Sequence, residues 1–211
     1  MPNPRRATRG RDPRVEVSPR LIRVSLNPDA VDQLAFDFCA ALARSKVRYA
    51  IVSGYVAILL GRNRLSEDID VFSEPLSLAR FRALHRALVA QFECITPGPV
   101  ARLFAEYLAA GTESTSIRYA RPGTFSPNVE LKFAAKPHHF YSLERRVAVE
   151  VLGARVYIGA LEMDIAYKLS MGTEKDIADA RWIYDRTRAV LDRVELKALM
   201  EGLGAHATWA K

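Results

Sequence analysis

The sequence predicts an α/β fold, and three observations predict it. A β-rich run at residues 47–52 meets a Ser53-Gly54 turn, a short apolar helix and then a second strand. Residues 128–134 alternate apolar and charged side chains, the pattern of a half-buried strand. Between these runs apolar residues recur at helical spacing, as at Leu78, Phe81, Leu84, Leu88 and Phe92.

The elements follow in order. Residues 1–24 hold arginines at 5, 6, 9, 11, 14, 20 and 23 against Asp12 and Glu16, with prolines at 2, 4, 13 and 19. Prolines discourage regular structure, so the segment reads as a flexible basic arm that orders somewhere before Asn27. It is either a tail that clings to RNA or DNA or a merely solvated one. Asn27-Pro28-Asp29 opens a helix, with Pro28 near its first position and Asp29 in its first turn. Val31, Leu34, Ala35, Phe38 and Leu42 share one face and belong to the core. The strand at 47–52, the Ser53-Gly54 turn, a helix at 55–60, a basic loop at 61–64 and a strand at 68–72 come next.

After the break Ser73-Glu74-Pro75, the face from Leu78 to Phe92 predicts a helix of about 16 residues, with Arg80, Arg82, His85 and Arg86 mostly solvated. Residues 96–99 form a turn and 100–110 a short helix. Residues 112–120 alternate loosely, and 122–127 are a loop. In the strand at 128–134, Val129, Leu131 and Phe133 face one way and Glu130 and Lys132 the other. His138-His139 invites a metal reading, but adjacent side chains diverge in regular structure and no third ligand stands nearby. Residues 147–152 and 154–158 flank Gly153 as paired strands. Helices follow, the last at about 193–203 and devoted to packing.

Composition narrows the function classes. A chain of 211 residues with 49% hydrophobic residues suits one domain, or one domain with an appendage, around a sizeable core. Cys39 and Cys94 lie in apolar helical patterns and read as free thiols in a reducing cytoplasm. The longest apolar stretch, 49–60, is broken by Ser53-Gly54, and no apolar segment follows the basic start, so neither a membrane span nor a secretory signal is expected. The net charge of +7 suggests a polyanionic partner, nucleic acid first.

Asp68 and Asp70 carry the chemistry. Two residues apart on a strand, they point to the same face. Side by side they repel unless a cation sits between them, and Mg²⁺ suits a few carboxylates plus substrate phosphates. The Ser53-Gly54 turn opens a helix, where free N–H groups attract phosphate. Together they suit a metal–nucleoside triphosphate.

The order Ser53-Gly54-Tyr55-Val56-Ala57, a short helix, then Arg64-Leu65-Ser66-Glu67-Asp68-Ile69-Asp70 resembles the nucleotidyltransferase fold of the DNA polymerase β superfamily. It is most similar to the small AbiE-type nucleotidyltransferases of prokaryotic abortive-infection and toxin–antitoxin systems. Ser53 stands where that pattern more usually has glycine. The run from Leu161-Glu162 through Lys168 to Lys175-Asp176-Ile177-Ala178-Asp179 resembles the same family's C-terminal pattern. The resemblance spans roughly residues 47–185.

It implies a small mixed sheet with flanking helices, a core at 25–158 and a C-terminal helical portion at 159–211 packed on it. It also implies transfer of a nucleoside monophosphate from an NTP to an acceptor hydroxyl on tRNA, other RNA or protein. Asp68 and Asp70 would hold two Mg²⁺ (or Mn²⁺) ions, with Glu130 as the third acidic residue where the family more often has Asp. Ser53 and Gly54 would cradle phosphate, and Arg64 and Lys168 would neutralise it. Ser66, Lys175, Asp176 and Asp179 would complete the nucleotide pocket. A toxin role with an antitoxin partner is the further implication. A non-catalytic nucleotide- or nucleic-acid-binding module on a decayed site is the alternative.

Overall fold

The computed structural model describes residues 14–18, 21–110 and 115–206. Its frame is a mixed sheet, nine-stranded among the described residues, in the order β1-β2-β8-β9-β3-β4-β7-β6-β5. The strands are β1 (Arg14–Ser18), β2 (Leu21–Ser25), β3 (Tyr49–Val52), β4 (Asp68–Ser73), β5 (Glu93–Cys94), β6 (Ile117–Ala120), β7 (Asn128–Phe133), β8 (Val147–Val151) and β9 (Ala154–Ile158).

The N-terminal expectation is corrected here. Instead of an irregular arm through residue 24, β1 and β2 form an antiparallel pair, and β2 adds in parallel to β8. Alternation explains it: Ile22 and Val24 are buried while Arg23 points out to Glu150. The prolines at 2, 4, 13 and 19 fall outside both strands. Residues 1–13, 19 and 20 lie outside the described residues.

Helix α1 (Ala30–Arg44) starts at Asp29, whose side chain accepts from the Val31 and Asp32 amides in a capping box. Its buried Leu34, Phe38 and Leu42 pack under the sheet beside α3 (Leu78–Val89), which buries Phe81, Leu84 and Leu88. That helix is shorter than expected, because the chain leaves it after Val89, packs Phe92 against the Phe38 ring and continues into β5. The next segment runs as α4 (Val100–Arg102) continued by a π-helical stretch, Leu103–Leu108. In this stretch Ile117–Ala120 is strand, and residues 111–114 lie outside the described residues.

The opposite face of the sheet carries the C-terminal half. Helix α2 (Gly54–Leu59) follows β3, and α5 (Pro137–Glu144) follows β7. His139, buried in α5, accepts on Nδ1 from the Ala135 and Lys136 amides at 3.2 and 3.3 Å and packs on Phe72. It therefore caps a helix start. Helices α6 (Leu161–Met171), α7 (Glu174–Thr187) and α8 (Arg193–Gly202) complete the chain, with Gly172 in the left-handed conformation ending α6. No helix among the described residues is long and apolar enough to cross a membrane.

Candidate active site

Strands β4 and β7 lie parallel, with Asp68 opposite Asn128 and Asp70 opposite Glu130. Ile69, Val71, Val129 and Leu131 point into the α1/α3 core, so alternation turns Asp68, Asp70 and Phe72 to the other face, with Glu130 and Lys132 beside them. Asp68 is exposed, and its Oδ1 accepts from Asn128 Nδ2 at 2.7 Å. Ser66 donates to the Asp68 carbonyl and steadies the strand start.

Lys132 is the surprise on this face. Its ammonium donates to Asp70 Oδ1 at 3.0 Å and lies 3.2 Å from Glu130 Oε2, while Arg118 holds Glu130 Oε1 at 2.6 Å. Burial pushes the Glu130 carboxyl up, but the Lys132 and Arg118 cations outweigh it and hold the group below its ordinary range. Burial pulls the Lys132 ammonium down, and Asp70 and Glu130 outweigh that and raise it. The strand register thus brings Glu130 beside Asp70, with a resident cation between the two and both Glu130 oxygens engaged.

The turn before α2 works differently from the expectation. The left-handed strain sits at Ser53 (φ 65°, ψ −142°) and not at Gly54. The Ser53 N–H donates to Asp164 Oδ1 at 3.3 Å, so this amide is tied to α6. A Cβ at Gly54 would meet the Arg64 guanidinium, so a larger residue there requires that side chain to shift. Arg64 is itself largely buried, with Nε 3.6 Å from Asp179.

Asp179 is the hub behind the cavity. It is fully buried, accepts from Lys168 Nζ at 3.2 Å, and is paired with Arg62 and Arg64 from the basic loop. Arg62 also donates to the Lys175 carbonyl. Burial lowers the pKa of both arginines, as expected for cations drawn out of water. Lys168 is 4% exposed and lies 4.0 Å from Asp176. The lysine expected on triphosphate is thus already neutralised from behind, and the Lys175 side chain points to solvent.

A cavity of about 290 Å³ lies between the sheet and helices α5, α6 and α7. Of the residues expected from sequence, Ser53, Asp70, Lys168 and Asp176 line it; Asp68, Glu130, Gly54, Arg64, Ser66, Lys175 and Asp179 do not. Its apolar side comprises Phe72, Met163, Tyr167 and Met171, with His138 stacked on Tyr167.

Sequence reasoning missed Asp164. Its Oδ2 is buried without a hydrogen-bond partner among the described residues, and burial pushes the carboxyl up to about 6 against the pull of Lys168 and the Ser53 amide. An acidic residue in a first helical turn has an ordinary dipole explanation, which conceals this role. Lys132 had a signal in the alternation that set it beside Glu130.

No protein-family model and no curated protein matches the chain. Solved structures do. An antigenic nucleotidyltransferase-like protein from Paracoccidioides brasiliensis superposes with a TM-score of 0.55 at 20% identity, over 83% of this chain and 87% of that one. The antibiotic-resistance factor ANT(2'')-Ia superposes with a TM-score of 0.51 at 13% identity, over 83% of this chain and 93% of that one. The mixed sheet with flanking helices is therefore the nucleotidyltransferase fold.

Proposed function

We propose that the protein transfers a nucleoside monophosphate from an NTP to an acceptor hydroxyl in this cavity. The observation that carries the reading is the convergence of Ser53, Asp70, Lys168 and Asp176 on one cavity, on a sheet whose same face bears Asp68. A nucleobase fits against Phe72, Met163, Tyr167 and Met171, and the charged side then meets the ribose and phosphates.

Asp68 and Asp70 fit a divalent cation: they are hard oxygen donors on one strand face, one exposed and one half-buried. Glu130 does not fit as a ligand, because Arg118 and Lys132 occupy its two oxygens. When bound, Mg²⁺ or Mn²⁺ would neutralise triphosphate charge and polarise the α-phosphate. The chain's own residues do the rest. Lys132 adds a positive charge beside Asp70, Asp179 fixes Lys168 and the loop arginines, and α6 supplies Met163, Tyr167 and Met171 to the apolar side.

Acceptors on RNA or protein both suit this chemistry, and a toxin role paired with an antitoxin rests on the sequence resemblance. The decisive test incubates the chain with Mg²⁺, each α-³²P-labelled NTP and total cellular RNA and protein. Label that disappears in Asp68→Ala/Asp70→Ala supports transfer. One observation favours the second reading, a non-catalytic nucleotide-binding module: the Lys132 bridge supplies inside the protein the cation that the carboxylates call for. That module predicts Mg²⁺-NTP binding with no label transferred.

A further inference from the structure

The Asp164 carboxylate has one oxygen in use and one without a partner among the described residues. Oδ1 accepts the Ser53 amide, Oδ2 is buried, and Asp164 lines the cavity together with Asp70, Lys168 and Asp176. A buried acceptor without a donor is costly, and such a group persists where a ligand supplies the missing hydrogen bond. An attacking hydroxyl brings such a donor.

The alternative carboxylate is unsuited to receive a proton. Both Glu130 oxygens are ion-paired, its carboxyl is held below the ordinary range, and it lies outside the cavity wall. We propose that Asp164, held by Ser53, is the general base of the transfer, an assignment that rests on the reading of the cavity as a nucleotidyl-transfer site. Oδ2 takes the hydroxyl proton as the acceptor oxygen bonds to the α-phosphorus. The bond from that phosphorus to the bridging oxygen of pyrophosphate breaks, and pyrophosphate leaves with the electron pair. No electrons are gained or lost overall.

The charged groups around Asp164 set its working range. Lys168 lies one turn along α6, Asp70 approaches from β4 and Asp176 from α7, and Lys132, His138 and His139 line the same cavity. Desolvation is the largest influence and keeps the carboxyl near 6, close to the pH at which a base is both ionised and able to accept.

The test compares wild type, Asp164→Asn and Asp164→Glu in the labelled-NTP assay with total cellular RNA and protein as acceptors. Asp68→Ala/Asp70→Ala is the blank, and rates are taken from pH 5 to 9. Asp164→Asn can still accept from the Ser53 amide and keeps the shape, so a melting temperature at or above wild type at pH 8 certifies its fold. The expected result is a kcat about 10²–10⁴-fold lower in Asp164→Asn, an unchanged KM for NTP, and loss of the acid limb near pH 6. Asp164→Glu should restore part of kcat together with an acid limb. Wild-type labelling matched within threefold by Asp164→Asn, or an acid limb surviving in that variant, overturns the assignment alone. Wild type no better than the blank overturns the nucleotidyl-transfer reading and the assignment with it.

Discussion

Asp164 links a site geometry to a measurable thermodynamic signature. Its folded carboxyl is pushed up from 3.8 to about 6, so the folded state binds a proton more tightly than the unfolded chain. Its contribution to stability is fully present below pH 3.8 and is lost as the pH rises through 6. The ceiling is about 3 kcal/mol from about 1.4 kcal/mol per unit, and partial exposure brings the expected effect to about 1–3 kcal/mol. Asp164→Asn should therefore be more stable than wild type at pH 8 by that amount and gain little at pH 4, as read by urea unfolding at both values. Lys132 invites the converse experiment. Lys132→Met removes the cation between Asp70 and Glu130, so the metal-free variant should melt lower than wild type. Mn²⁺ should bind it at least about tenfold more tightly than wild type and restore much of the loss, read by electron paramagnetic resonance and thermal shift.

At the scale of elements, Asp179 fastens the basic loop before β4 to α6 and α7. Itself fully buried, it faces the buried Lys168 and the half-buried Arg62 and Arg64. Asp179→Ala removes the buried partner of those cations and should cost about 3–5 kcal/mol by chemical denaturation, far more than Asp176→Ala at the half-buried cavity wall. Strand β2 carries its own prediction: Ile22 is fully buried, so Ile22→Ala should cost about 2–4 kcal/mol, whereas a frayed segment would lose nothing. These elements also mark what the sequence could reveal. Strands β3, β4 and β7, and helices α1 and α3, were legible because alternation and helical periodicity are local signals. The pair β1 and β2 was hidden because its stabilising neighbour, β8, comes more than a hundred residues later, while prolines and arginines dominate the local composition. In the site, Asp68 and Asp70 were legible from spacing and Lys132 from alternation. Asp164 acquires its meaning only when α6 meets Ser53 across 111 residues of chain. Lys168 was legible as a cavity residue but not as the partner of a buried Asp179, since burial is a property of the assembled helices.

For the whole molecule, the net charge of +7 coexists with a cavity whose two lysines are already paired with carboxylates. A triphosphate should therefore enter this cavity with a divalent cation far better than alone. Saturating Mg²⁺-NTP, at about a hundredfold over its dissociation constant, should stabilise the protein by about 2.7 kcal/mol. NTP with a chelator should give little shift, and Asp68→Ala/Asp70→Ala none.

The parallel pairing of β2 with β8 also bears on how the chain is made. Arg23 reaches Glu150 over a separation of 127 residues, so on a ribosome the first strands emerge long before the partner that covers them. Closing so long a loop carries a conformational cost that local hairpins such as β8–β9 avoid. The sheet should nucleate around its centre and C-terminal half, and the N-terminal hairpin should dock last. Until then Ile22 and Val24 form an apolar edge open to any passing strand, and a nascent chain stalled before residue 147 is the species that a chaperone would hold.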